Sequence, residues 1–87
     1  PAAFICAESD SFGNVEKTEK DYANTTVPVF FTVMSGTEHL GAATEGLAAT
    51  VAWLRWQLGG DTDRSRMFLD PMGEFQSGRY VSQIKNW

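Results

Sequence analysis

Val27-Pro28-Val29-Phe30-Phe31-Thr32-Val33 is the stretch that decides the fold. β-branched and aromatic residues dominate it, and such side chains pack well on a pleated, half-buried surface. It therefore reads as a strand over about 28–33. A second run, Ala2-Ala3-Phe4-Ile5-Cys6-Ala7, lies upstream. It is short and apolar on both faces, which suits a fully buried central strand of a parallel sheet over 2–7. Between the two, Asn14 to Ala23 carries Glu16, Lys17, Glu19, Lys20 and Asp21, with Val15 and Tyr22 as apolar anchors. That pattern is a solvated helix with a narrow apolar stripe, and Glu16 and Lys20 sit at the favourable i,i+4 spacing. About twenty residues that include a helix are enough for a parallel crossover, so the segment predicts a right-handed βαβ unit. An antiparallel pairing of the two strands, which needs no helix between them, is the other arrangement open to this spacing.

Downstream, a long helix is expected over about 45–58. Leu47, Val51, Leu54 and Leu58 lie three and four apart and form one apolar stripe. Ala48, Ala49 and Ala52 favour the helix, and Trp53 and Trp56 widen its apolar face beside Leu54. Gly59-Gly60 ends it in the manner of a left-handed cap. Asp61 is placed to cap a short helix over about 62–68, and Asp70-Pro71-Met72-Gly73 reads as a β-turn. The tail Tyr80-Val81-Ser82-Gln83-Ile84 alternates weakly and reads as no more than a short extended segment. The class is α/β. Two strands buried on both faces, with no third long strand, look like the end of a larger sheet, because an apolar strand edge invites aggregation. The expectation is that residues 1–87 form the C-terminal part of one α/β domain.

Composition agrees with a folded core. The 87 residues are 43% hydrophobic, 13% aromatic and 21% charged, which excludes a disordered tail or a polybasic arm. The net charge of −4 resides in residues 1–39, where six acids face two lysines. Residues 40–87 balance five acids with five bases. Nothing here favours phosphate contacts, so nucleic acid is not an expected partner. No apolar run is long enough for a membrane span, and no basic n-region before an apolar stretch marks a signal peptide. Cys6, the one cysteine, cannot form an internal disulfide. It reads as inert packing.

In open α/β sheets, functional groups gather beyond the carboxyl ends of the strands. Asp10 follows the first strand by three residues, and the sole histidine, His39, follows the second by six. A carboxylate that accepts from imidazole Nδ1–H fixes the tautomer and stabilises the imidazolium, which leaves Nε2 to act as a base. Each residue also has an ordinary reading, Asp10 as a turn or cap residue and His39 as an exposed loop residue.

The segment from Pro1 to Ser11 resembles the strand-plus-acid segment of α/β-hydrolase esterases, in the branch of cutinases, polyester hydrolases and chlorophyllase-like enzymes. Ser9 stands in the middle of its Glu8-Ser9-Asp10 motif. Ser35-Gly36-Thr37-Glu38-His39 is similar to that family's Gly-rich approach to its histidine. Val51 to Leu58 with Gly60-Asp61 resembles its last long helix. By this resemblance Asp10 is the triad acid, His39 the triad base, and the substrate a carboxylic ester, with no cofactor. Secretion is compatible with it. In that fold the nucleophile precedes the acid in the chain, yet only nine residues precede Asp10 and no G-x-S-x-G occurs. The expectation is therefore a C-terminal segment of a serine esterase, inactive alone. A small interaction or dimerisation module, and a truncated hydrolase remnant, are the alternatives.

Other motifs lead nowhere. Asp61, Asp63 and Ser65 mimic the start of a calcium loop, but Arg66 stands where glycine is required and Met72 where the closing glutamate belongs. One His and one Cys do not make a zinc site. Trp53 and Trp56 read as core or interface residues before cleft residues. Asn24-Thr25-Thr26 is a glycosylation sequon.

Overall fold

The computed structural model describes residues 1–7, 15–35 and 46–87. It is a small α/β arrangement built on a three-stranded mixed sheet of order β1-β2-β3. β1 (Ala2–Ala7) and β2 (Val29–Met34) run parallel, with Ala2 opposite Val29 and Ala7 opposite Met34. The crossover between them contains α1 (Val15–Asn24). The parallel reading of the two strands therefore holds over its antiparallel alternative. β3 (Tyr80–Lys85) pairs antiparallel with β2, Tyr80 opposite Met34 and Lys85 opposite Val29.

Two expectations about strands are corrected. The tail is a full six-residue strand, so a third long strand does exist. β3 was hard to read because its polar residues take specific partners rather than showing an apolar face. Ser82 bonds Thr32, and Lys85 Nζ donates to the Ala23 carbonyl and lies 4.7 Å from the centre of the Tyr22 ring. The second correction concerns the centre of the sheet. β2, not β1, takes that place, because β3 occupies its far side. Five of the six β2 residues are buried, whereas Ala2, Ala3, Phe4 and Ile5 of β1 are only half-buried.

Side chains alternate across a strand, so β2 feeds two different layers. Tyr22 of α1 meets Phe31 on one face, ring centres 5.4 Å apart. The opposite face carries Phe30, which packs against α2 (Leu47–Gln57) and α3 (Ser65–Leu69). Phe30 lies 6.2 Å from Trp53 and 4.9 Å, edge-on, from Phe68. Phe75, from the short 3-10 turn Glu74–Gln76, joins Phe68 at 4.9 Å and Tyr80 at 5.1 Å. Trp87 stacks on Trp56 at 5.0 Å and donates its indole N–H to the Val29 carbonyl at 3.0 Å.

The expected long helix forms, but its apolar stripe faces outward. Leu47, Val51, Leu54 and Leu58 are 57%, 40%, 48% and 82% exposed. The inward face is Ala49, Ala52 and Trp53, with Trp56 half-buried beside them. The reason lies in what α2 meets: indole rings bury more area against Phe30 and Phe68 than leucines would. The helix ends at Gln57, and Gly60 shortly after it has φ 74°, the left-handed geometry expected. Asp61 makes no side-chain cap; its carboxylate instead accepts from Arg64 Nε at 2.8 Å. The expected short helix is accordingly split into a 3-10 turn, Thr62–Arg64, and α3. Asp70–Gly73 is a turn as read, closed by Gly73 N–H donating to the Asp70 carbonyl at 2.7 Å. A Cβ on Gly73 would stand 2.2 Å from the Arg66 carbonyl oxygen, so the turn packs directly on the end of α3.

Candidate functional site

The register of the parallel pair sets the geometry of the candidate site. Ala7 and Met34 are partners at the carboxyl ends of β1 and β2, and both are buried. The chain therefore leaves both strands at the same edge of the sheet, from neighbouring positions about 4.8 Å apart. Asp10 and His39, the sequence candidates on these two exits, both lie outside the described residues.

What is described at this edge is how the second exit begins. Ser35, the first residue after β2, donates its N–H to the Arg79 carbonyl at 2.8 Å. Arg79 Nε donates back to the Ser35 carbonyl at 3.3 Å. The β2–β3 ladder is thus continued one position past Met34, and a guanidinium reinforces it. No sequence signal singled out Arg79. It is 44 residues from Ser35, and only the antiparallel register of β3 brings the two together. Tyr80, the partner of Met34, packs edge-on against Phe75.

The remaining candidates serve structure. Cys6 is buried near the end of β1, as its packing role requires. Trp53 belongs to the aromatic core and Trp56 packs against it. Asp61 is engaged with Arg64. Among the described residues no group of three His, Cys, Asp or Glu is placed to hold a metal ion, and no helix is long and apolar enough to cross a membrane. Away from the edge, partial burial pushes the Tyr22 phenol above its usual 10.0. Comparison with known proteins finds no matching family model, no matching curated protein and no matching solved structure.

Proposed function

We propose that this chain is the C-terminal segment of a serine carboxylic-ester hydrolase, supplying the triad acid Asp10 and the triad base His39. The observation that carries the reading is the in-register parallel pairing of β1 with β2. It starts the Asp10 and His39 segments side by side at the carboxyl edge, where open α/β sheets carry their chemistry. Asp10 is three positions past Ala7, and His39 is five past Met34. At about 3.3–3.6 Å per extended residue, these tethers are long enough for a carboxylate–imidazole pair. The resemblance of Pro1–Ser11 and Ser35–His39 to α/β-hydrolase segments points the same way. β1 also has no second neighbour strand among the described residues, and its outer edge is where upstream strands would add.

In this mechanism Asp10 accepts from His39 Nδ1–H, and Nε2 removes the proton from a serine hydroxyl as it attacks the ester carbonyl. Imidazolium then protonates the leaving alcohol, and water repeats the cycle on the acyl-enzyme. The serine and the oxyanion donors belong to residues upstream of Pro1, so the 87-residue chain alone is inactive. The test is ester turnover by the intact native polypeptide. His39→Ala and Asp10→Asn are each expected to lower kcat about 10³–10⁴-fold, with the double variant no worse than His39→Ala. Near-parental turnover by His39→Ala would refute the assignment.

A further inference from the structure

The connection from α1 to β2 is gripped by the end of β3. Lys85 Nζ donates to the Ala23 carbonyl at 3.0 Å. Asn86 Nδ2 donates to the Thr25 carbonyl at 3.2 Å and to the Val27 carbonyl at 3.0 Å. Alternate carbonyls, those of residues 23, 25 and 27, are thereby bonded to one segment. Thr25 is half-buried with them. Its N–H donates to the Tyr22 carbonyl at 3.1 Å, and its hydroxyl donates to the Asp21 carbonyl at 2.7 Å. The residues between these anchors, Asn24 and Thr26, are exposed. Neither side chain has a hydrogen-bond partner among the described residues.

Those two side chains are the ones that an N-glycan transferase reads. In Asn24-Thr25-Thr26 a threonine stands two positions past the asparagine, with no proline between them, which is the acceptor pattern. What lifts this copy above a chance match is its position. A sequon within a buried strand would force a bulky, solvated oligosaccharide into the core, whereas here it projects from the surface. The hold of the loop on the core runs through backbone carbonyls and Thr25, so it uses neither side chain that the modification engages. The grip also closes late. Its donors lie 59, 61 and 62 residues downstream of their acceptors, so during synthesis the sequon emerges before the segment that will clasp it.

We propose that Asn24 is a site of N-linked glycosylation when the chain passes through a eukaryotic secretory pathway. The donor is a lipid-linked diphospho-oligosaccharide. The Asn24 amide nitrogen bonds to the anomeric carbon of the first sugar, the bond from that carbon to the diphosphate oxygen breaks, the lipid diphosphate leaves, and the amide gives up one proton. The site is independent of the proposed esterase function. It lies at the amino-terminal end of β2, whereas the Asp10 and His39 segments leave from the carboxyl ends of β1 and β2.

Site mapping on the intact native polypeptide, secreted from a eukaryotic host, tests this. The expected result is an oligosaccharide on the tryptic peptide of residues 21–55, which lies between Lys20 and the cleavage after Arg55. Peptide N-glycosidase in heavy-oxygen water should release it and leave an isotope-labelled carboxylate at position 24. Asn24→Gln and Thr26→Ala are each expected to abolish the modification, and Thr26→Ser to retain it. Both positions are exposed, so these variants are expected to be secreted like wild type. Wild-type protein recovered from the medium with Asn24 unmodified overturns the inference. A label at position 24 that persists in Thr26→Ala also overturns it, in favour of chemical deamidation.

Discussion

The two faces of the central sheet are held by different means. Beneath α2 and α3, Phe30 sits in a continuous aromatic cluster with Trp53, Phe68 and Phe75, and Trp56 and Trp87 extend it. Beneath α1, the ring that Phe31 meets among the described residues is Tyr22, on a helix with no buried residue. Adjacent residues of one strand thus belong to a dense core and to a thin cover. Edge-to-face and offset ring pairs add to area burial on the first face, whereas the second depends on a helix whose outer surface is charged. Most of the stability should therefore reside on the α2–α3 side.

The largest expected effect breaks that side. Phe30→Ala should cost about 4–5 kcal/mol, because its neighbours are mutually packed and cannot collapse into the cavity. A loss of that size is a large fraction of a typical folding free energy, as urea denaturation would read. Phe31→Ala should cost about 1 kcal/mol less, since the single cover helix can settle inward. Equal losses in the two variants would erase the contrast between the faces.

A smaller effect sharpens the role of β3. Thr32 is fully buried, and its hydroxyl lies 2.8 Å from Ser82 Oγ, which also contacts the Phe75 carbonyl. Each hydroxyl has one proton, so the chain runs from Thr32 O–H to Ser82 Oγ and from Ser82 O–H to the Phe75 carbonyl. Ser82→Ala leaves both ends short of a partner and should cost about 1–3 kcal/mol. Thr32→Val combined with Ser82→Ala should cost less than the sum of the two single changes, as a double-mutant cycle in urea would read.

The smallest effect is on the α1 side and depends on pH. Burial favours the neutral Tyr22 phenol, so its folded value lies above the 10.0 of the exposed group. The associated stability is complete below about pH 10 and is lost as pH rises through the folded value. Tyr22→Phe should therefore lose less stability than wild type above pH 10 and match its pH dependence below. Absorbance titration of the phenols, with Tyr80 as the second, checks the same point.

These contrasts also show what was legible in the residues. Val29 to Val33 and Ala2 to Ala7 announce strands through β-branched and apolar runs, and the charged α1 between them announces the crossover. β3 was obscured because Ser82, Gln83 and Lys85 are ladder residues whose partners come from distant segments, and local alternation carries no trace of those. The orientation of α2 is not legible in the residues, because aliphatic periodicity outweighs alanine and tryptophan. Nothing local says that the core would choose ring contacts over leucines. At the candidate edge, Asp10 and His39 were picked out by their position after strands. The Ser35–Arg79 clasp was invisible without the β2–β3 register.

The most direct test of the central functional claim needs no substrate. Nitrogen-detected NMR of the His39 ring reports which nitrogen bears the proton when the imidazole is neutral. The Asp10–His39 pairing predicts Nδ1–H as the dominant tautomer, lost in Asp10→Asn. A tautomer ratio like that of free histidine, unchanged by Asp10→Asn, would contradict it.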